Sequence, residues 1–186
     1  MKRLFIAIKI EPEQQLLKVY NDIKFHCRWS KIKWVDDTHF HITLKFFGET
    51  PEINIPLIEQ VMEKITNENT VFDFNLKGVG IFGSHYRPRV IWLGLQHDEK
   101  LKILGEQLIK NLEKEGFLSD RQNFIPHLTV GRIKYIQDKK RLQNIVDKYR
   151  DTFLQKVNVT KIILYESKLR KEGPQYIPLK VVYLNR

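Results

Sequence analysis

Cysteine is almost missing from this chain: Cys27 is the only one in 186 residues. No intramolecular disulfide can form, and a zinc site built on several thiolates is excluded as well. Long apolar runs are missing too. The opening MKRLFIAIKI places a basic pair before an apolar stretch that ends after five residues, Leu4 to Ile8, which is too short for a signal-peptide core or a membrane span. That stretch reads as a first strand, and a reducing cytoplasm is the expected compartment. There is no nucleophile elbow of the serine hydrolases and no phosphate-binding glycine loop of the nucleotide hydrolases, so neither chemistry is supported. Linkers, low-complexity tracts and long blocks of like charge are absent. Acid is the scarcer charge, 22 Asp and Glu against 32 Lys and Arg, for a net charge of +10. A basic surface concentrates polyanions and favours RNA, DNA or nucleotides as partners, although lysines mixed with glutamates on helix faces also serve solubility alone.

What is present suffices for a core. With 42% hydrophobic residues, the chain can build one domain, or two lobes sharing a core, without covalent help. Alternating or continuous apolar runs predict strands over Arg3 to Lys9, His39 to Phe47, Val71 to Phe82, Arg89 to Leu95, His127 to Lys134, Lys156 to Ser167 and Gln175 to Leu184. Apolar spacing of three and four predicts helices over Pro12 to Cys27, Ile53 to Ile65, Lys100 to Glu115 and Lys139 to Tyr149. Gly116 is placed to stop the third helix, and ETPE, Glu49 to Glu52, offers a turn and a helix start. The class is α+β.

Two short stretches stand out. HFHITLKFFGE, residues 39 to 49, and PHLTVGR, residues 126 to 132, share the pattern His-apolar-Thr-apolar, and their histidines lie 86 residues apart (127 − 41). The same offset carries Val71 onto Val157, Leu76 onto Ile162, Ile91 onto Ile177 and Leu93 onto Leu179. Helix, motif strand, helix, strand, strand then recur in order, with Arg3 to Lys9 left over at the front. The expectation is a pseudo-twofold architecture. Side chains alternate along a strand, so His41 faces the same way as Thr43, and His127 the same way as Thr129. Ile42, Leu44, Leu128 and Val130 then face a core. Two such strands side by side would give a cleft floored by two imidazoles and two hydroxyls. That set suits a phosphodiester: one neutral imidazole takes a proton from the attacking oxygen, one imidazolium gives a proton to the leaving oxygen, and hydroxyls donate to the non-bridging oxygens.

On these motifs, together with RLFIAIKI, IKWVDDTHFHITLKFFGE, RPRVIWLGL, PHLTVGRIK and LYESKL in order along nearly the whole chain, the protein resembles the RNA 2′,3′-cyclic phosphodiesterases, also called 2′-5′ RNA ligases, of the two-histidine phosphoesterase superfamily. The resemblance implies a bilobal fold, two pseudo-symmetric lobes of antiparallel sheet with outer helices around a central cleft, and no metal or cofactor. It implies that His127 is the general base activating water and that His41 is the general acid expelling the 3′ oxygen, leaving a 2′-phosphate. Thr43, Thr129 and Arg132 would bind the phosphate. Five residues beyond His127, Arg132 has the wrong parity for a flat strand, so a bulge near Gly131 or a strong twist is required. Ile125 replaces an arginine that the family often has before the second Pro-His. The implied partner is RNA with 2′,3′-cyclic phosphate ends, or cyclic nucleotides, handled by a monomer without membrane attachment. A basic RNA-binding module without catalysis, or a two-histidine enzyme for another cyclic or 2′-5′-linked substrate, is the competing reading.

Other residues have local readings. His39 shares the face of His41 on an unbroken strand, and such a pair can ligate a metal, but no third ligand follows, so a place on the cleft rim or the surface is expected. Of Phe46 and Phe47, with opposite facings, either one packs in the core and the other borders the cleft and can stack on a base, or both pack in the core. Lys45, Arg87 and Arg89 are candidate RNA-backbone contacts or plain solvated charges. Trp34 is expected to anchor a loop. His26, His85 and His97 are expected in solvent.

Overall fold

The computed structural model describes residues 1–84, 86–118, 124–170 and 173–186; His85 lies outside them. The strands are β1 (Lys2–Lys9), β2 (Lys31–Trp34), β3 (His41–Thr50), β4 (Phe72–Gly83), β5 (Pro88–Gln96), β6 (Leu128–Tyr135), β7 (Phe153–Val159), β8 (Lys161–Leu169) and β9 (Pro174–Tyr183). The helices are α1 (Gln14–His26), α2 (Ile55–Asn67), α3 (Glu99–Lys114) and α4 (Lys139–Lys148). All four expected helices form, within a few residues of the expected bounds. Each buries one stripe, as α2 does with Ile58, Val61, Met62 and Ile65 and α3 with Leu101, Leu104, Leu108 and Leu112. Asp138 accepts a hydrogen bond from the Arg141 N–H and caps α4. Gly116 stands just past α3 with φ +86°, the left-handed backbone that a glycine adopts without strain.

The nine strands form one curled antiparallel sheet in the order β7-β4-β5-β6-β3-β1-β8-β9, with β2 added to β6. This order is symmetric about the β6–β3 junction. β5 stands opposite β1, β4 opposite β8 and β7 opposite β9, while α1 packs with α4 and α2 with α3. β1 is therefore not left over at the front: it holds in one lobe the place that β5 holds in the other. Two further elements depart from the sequence reading. The expected strand over Lys156 to Ser167 is two strands that turn at Thr160, β7 pairing with β4 at one end of the sheet and β8 with β1 and β9 at the other. No glycine or proline marks that corner, so alternation alone could not reveal it. β2 was not expected, because its four residues make a strand only by adding to the edge of β6.

The two lobes meet where β3 and β6 pair through Ile42 and Leu128, both wholly buried. The helices and the buried faces of the strands form one continuous core around this pair, including Phe40, Leu44, Ile91, Leu93 and Val130. Among the described residues no helix is long and apolar enough to cross a membrane. Leu128→Ala leaves a cavity at the lobe junction and is expected to lower stability by about 2–5 kcal/mol, measured by denaturant unfolding; a loss below about 0.5 kcal/mol, the range of surface substitutions, would show that the junction does not carry this load.

Candidate active site

The strand register gathers the candidate residues. His41 and Thr43 of β3, His127 just ahead of β6, and Thr129 and Arg132 of β6 all line one cleft of about 1030 Å³ on the sheet face away from the core. The residues between them, Ile42 and Leu44, Leu128 and Val130, are buried, so the alternation read from the sequence holds at both motifs. His39 also lines the cleft. It belongs, however, to a 3-10 turn over Asp37–His39 and not to the strand, because Asp36 caps that turn by accepting from the Thr38 N–H at 3.0 Å. Its shared strand face with His41 is thereby lost.

Arg132 reaches the cleft through a bulge. Across the β5–β6 ladder Ile91 opposes Gly131 and Trp92 opposes Thr129, which leaves Val130 as the extra residue. Val130 and Gly131 both turn inward, and Arg132 regains the face of Thr129. Gly131 is needed there: a Cβ would stand 3.1 Å from both Ile32 and Trp34. The first motif has the same device. Thr43 opposes Ala7 and Lys45 opposes Ile6, so Leu44 is the extra residue. The shift turns Lys45 inward, where it is only 3% exposed and its ammonium donates to the Leu118 carbonyl at 2.8 Å. Lys45 is therefore neither a cleft residue nor a solvated charge. Phe46 comes round to the cleft instead, 43% exposed and 5.1 Å from the Arg3 guanidinium, while Phe47 packs against Phe117. Phe46 and Arg132 thus occupy corresponding places in the two motifs.

Each histidine is held in the same way. Nδ1 of His41 donates to the carbonyl of His39 at 2.7 Å, and Nδ1 of His127 donates to the carbonyl of Ile125 at 2.8 Å. A carbonyl oxygen can only accept, so Nδ1 carries the proton in both rings and Nε2 is the nitrogen left for chemistry. Because the backbone of Ile125 provides the anchor, its side-chain identity does not affect it. The two rings differ in surroundings. His41 lies between Phe5 (5.1 Å) and Tyr176 (5.3 Å), and Tyr176 also meets His39 at 4.9 Å. His127 meets the edge of Phe82 at 4.8 Å. Burial pushes the His41 pKa below its ordinary 6.5; the hydrogen bond to His39 partly opposes this, and Lys9, His39 and Arg132 lower it further. Burial also raises the pKa of Tyr176, against the opposing charges of Arg132 and Arg3, so its hydroxyl stays protonated.

Arg3, Lys24, Lys33, Arg132 and Arg170 line the cleft against one carboxylate, Asp36. Such a lining favours an anion. Tyr176, Phe5, Arg3 and Lys33 were not found from the sequence, since each lies far from the motifs along the chain and reaches the cleft only by strand pairing: Arg3 and Phe5 through β1 on β3, Lys33 through β2 on β6, and Tyr176 through β9 on β8. Trp34 lines the cleft as part of β2 and packs on Tyr20 edge to face at 5.8 Å, which gives it a strand position and not a loop. Arg87 and Arg89 are exposed and do not line the cleft. His26 is half-buried, with Nδ1 against the Asp22 carbonyl at 2.9 Å and 3.2 Å from the Asp22 carboxylate, whereas His97 is exposed at a turn with φ 57°. Among the described residues no three His, Cys, Asp or Glu side chains are close enough to hold a metal ion.

In an NMR titration without phosphate, His41 is expected to titrate below 6.5 with Nδ1 protonated in its neutral form, and added inorganic phosphate is expected to raise that midpoint. A midpoint that does not move with phosphate would mean that the anion does not reach this ring.

Comparison with known proteins places this geometry. The chain is 35% identical over 185 residues to an RNA 2′,3′-cyclic phosphodiesterase of Thermotoga maritima, covering 97% of this chain and 93% of that protein. It is 33% identical over 183 residues to one of Methanocaldococcus jannaschii, covering 96% and 98%. Among solved structures, E. coli LigT complexed with 3′-AMP superposes with a TM-score of 0.80 at 24% identity, over 100% of this chain and 99% of that one, and TT0787 of Thermus thermophilus with 0.78 at 24%, over 98% and 97%. At that identity these superpositions establish the fold. The LigT-like phosphoesterase pattern matches twice, over residues 8–92 and 94–176, and the chain belongs to that family.

Proposed function

We propose that this protein opens the 2′,3′-cyclic phosphate at an RNA end to a 2′-phosphate by metal-independent acid–base catalysis from His41 and His127. The observation that carries this reading is the matched anchoring of the two rings, each with Nδ1 tied to a backbone carbonyl and Nε2 left for a basic cleft. The relatives named RNA 2′,3′-cyclic phosphodiesterase support the substrate, and the 3′-AMP in E. coli LigT supports a nucleotide in this fold. The two family matches begin 86 residues apart (94 − 8), which supports reading the chain as one two-lobed domain built by internal duplication.

The mechanism follows from the roles of the two rings. His127 takes a proton from water as it attacks phosphorus, and His41 gives a proton to the departing 3′ oxygen. The phosphate stays on the 2′ oxygen. Thr43 and Thr129 donate to the non-bridging oxygens, and Arg132 offsets their charge as it builds. The burial that lowers the His41 pKa works against its acid role in the empty cleft, and a bound phosphate anion works the other way. The substrate therefore charges its own acid. Replacing water by a ribose hydroxyl in the same steps gives a 2′-5′ phosphodiester, so reversible 2′-5′ ligation is the same chemistry.

His41→Ala and His127→Ala are each expected to lower turnover of a nucleoside 2′,3′-cyclic phosphate by about 10²-fold or more, with the 2′-phosphate as the wild-type product and full activity in excess chelator. Wild-type rates from either variant would remove the acid–base assignment and favour a binding module. Arg132→Ala should cost more than either Thr43→Ala or Thr129→Ala, since a charge-assisted contact is about twice as strong as a neutral one. The rate is expected to be bell-shaped in pH. Activity is lost at high pH as the acid deprotonates, and this limb should lie higher in kcat than in kcat/KM because only the complex contains the anion beside His41. Coincident limbs in the two profiles would exclude substrate-assisted charging.

A further inference from the structure

His127 lines two cavities. One is the cleft; the other, about 380 Å³, lies beyond it over β4 and β5. Trp92 of β5 opposes Thr129 across the ladder, and directly paired residues share a face, so the indole lies on the cleft side of the sheet. Two glycines make room for it. A Cβ at Gly80 would stand 2.2 Å from the indole, and one at Gly94 would stand 3.1 Å from it. The indole therefore lies against both strands. Phe82 stacks on it at 5.0 Å and meets His127 at 4.8 Å, making an aromatic path from the candidate base into the second cavity. Trp92 Nε1 is buried without a hydrogen-bond partner among the described residues. Lys77, Lys102 and Arg150 line the cavity with one carboxylate, Asp98; Lys102 pairs with Asp98 at 3.0 Å, and Arg150 pairs with Asp147 outside the lining.

We propose that this second cavity receives the 5′-terminal nucleoside of an acceptor RNA strand in 2′-5′ ligation and its reversal. The inference rests on the acid–base reading above. In an in-line displacement the attacking and leaving oxygens stand on opposite sides of phosphorus. The leaving 3′ oxygen faces His41, so the attacking oxygen faces His127. Water needs no space behind that oxygen, but a ribose hydroxyl brings a nucleoside with it, and the aromatic, cationic cavity on the far side of His127 is where that nucleoside extends. Its volume is at the low end of the range for small-ligand sites, about 300–1,000 Å³, enough for one nucleoside and not for a strand. The following phosphate then meets the cations at the walls. The step balances without a further reactant. The O5′–P bond forms and the P–O3′ bond breaks, the O5′ proton passes to His127, and a proton from His41 passes to O3′. The phosphorus remains on O2′, giving a 2′-5′ diester.

The test compares two reactions of the wild type and of the Lys77→Glu/Arg150→Glu variant: hydrolysis of a nucleoside 2′,3′-cyclic phosphate, and cleavage of a 2′-5′-linked dinucleotide bearing a 3′-phosphate on its second nucleoside. The variant is expected to lose about tenfold or more in kcat/KM for cleavage, on the scale of a lost charge-assisted contact, and to keep hydrolysis within about twofold, which also reports an intact fold. Equal loss in both reactions, or loss in neither, would overturn the acceptor site, as would a wild type that hydrolyses the cyclic phosphate but leaves the 2′-5′ linkage intact. A wild type inactive in hydrolysis would overturn the acid–base reading itself, and this inference with it.

Discussion

One short backbone pairing, Ile42 of β3 against Leu128 of β6, joins the two lobes and sets the spacing of everything on the cleft face. The side chains of this pair are sealed in the core, so their flanking residues, His41 with Thr43 and His127 with Thr129, must face the other way. A slip of one residue in either strand would put its histidine into apolar surroundings and its isoleucine or leucine into the cleft. Core burial therefore enforces the register that puts both motifs on the cleft face. The paired bulges complete the arrangement, since each extra residue reverses the parity once and brings Phe46 and Arg132 to equivalent positions.

Symmetry of frame does not produce symmetry of environment. Both imidazoles are tied by Nδ1 to a carbonyl two residues back, which fixes the same tautomer in each. His41, though, is packed between Phe5 and Tyr176 and resists protonation, whereas His127 meets the cleft and the second cavity together. A symmetric framework with unequal walls gives the two rings different surroundings, and burial lowers the pKa of His41.

Much of the site was legible in the sequence. The His-x-Thr pairs could be read because strand alternation is a local rule, and the parity of Arg132 alone required a bulge near Gly131 or a strong twist, of which the structure has the bulge. For Phe46 and Phe47 the sequence left core packing for both open, and the structure decided it by placing Phe46 on the cleft. Lys45 shows where such reasoning stops. On an unbroken strand it would share the face of His41, but the bulge at Leu44 turns it into the protein, where the Leu118 carbonyl accepts from it. His39 is a second case: a capped turn, not the strand, carries it. Tyr176 is a third, as it reaches His41 only because β9 lies on β8 and β8 on β1.

By itself, then, the sequence determined the four helices, most of the strands and most of the faces they bury, and that two imidazole–hydroxyl pairs were available. Those properties follow from periods of two and 3.6 residues along a single segment. Tertiary structure decided that the two pairs share one cleft, that β1 occupies the place opposite β5, that Thr160 is a corner between strands at opposite ends of the sheet, and that the cleft passes His127 into a second cavity. These outcomes depend on which strands pair and in what register. The pairing energies that choose among registers come from residues far apart in the chain, brought together only when the common core closes around Ile42 and Leu128.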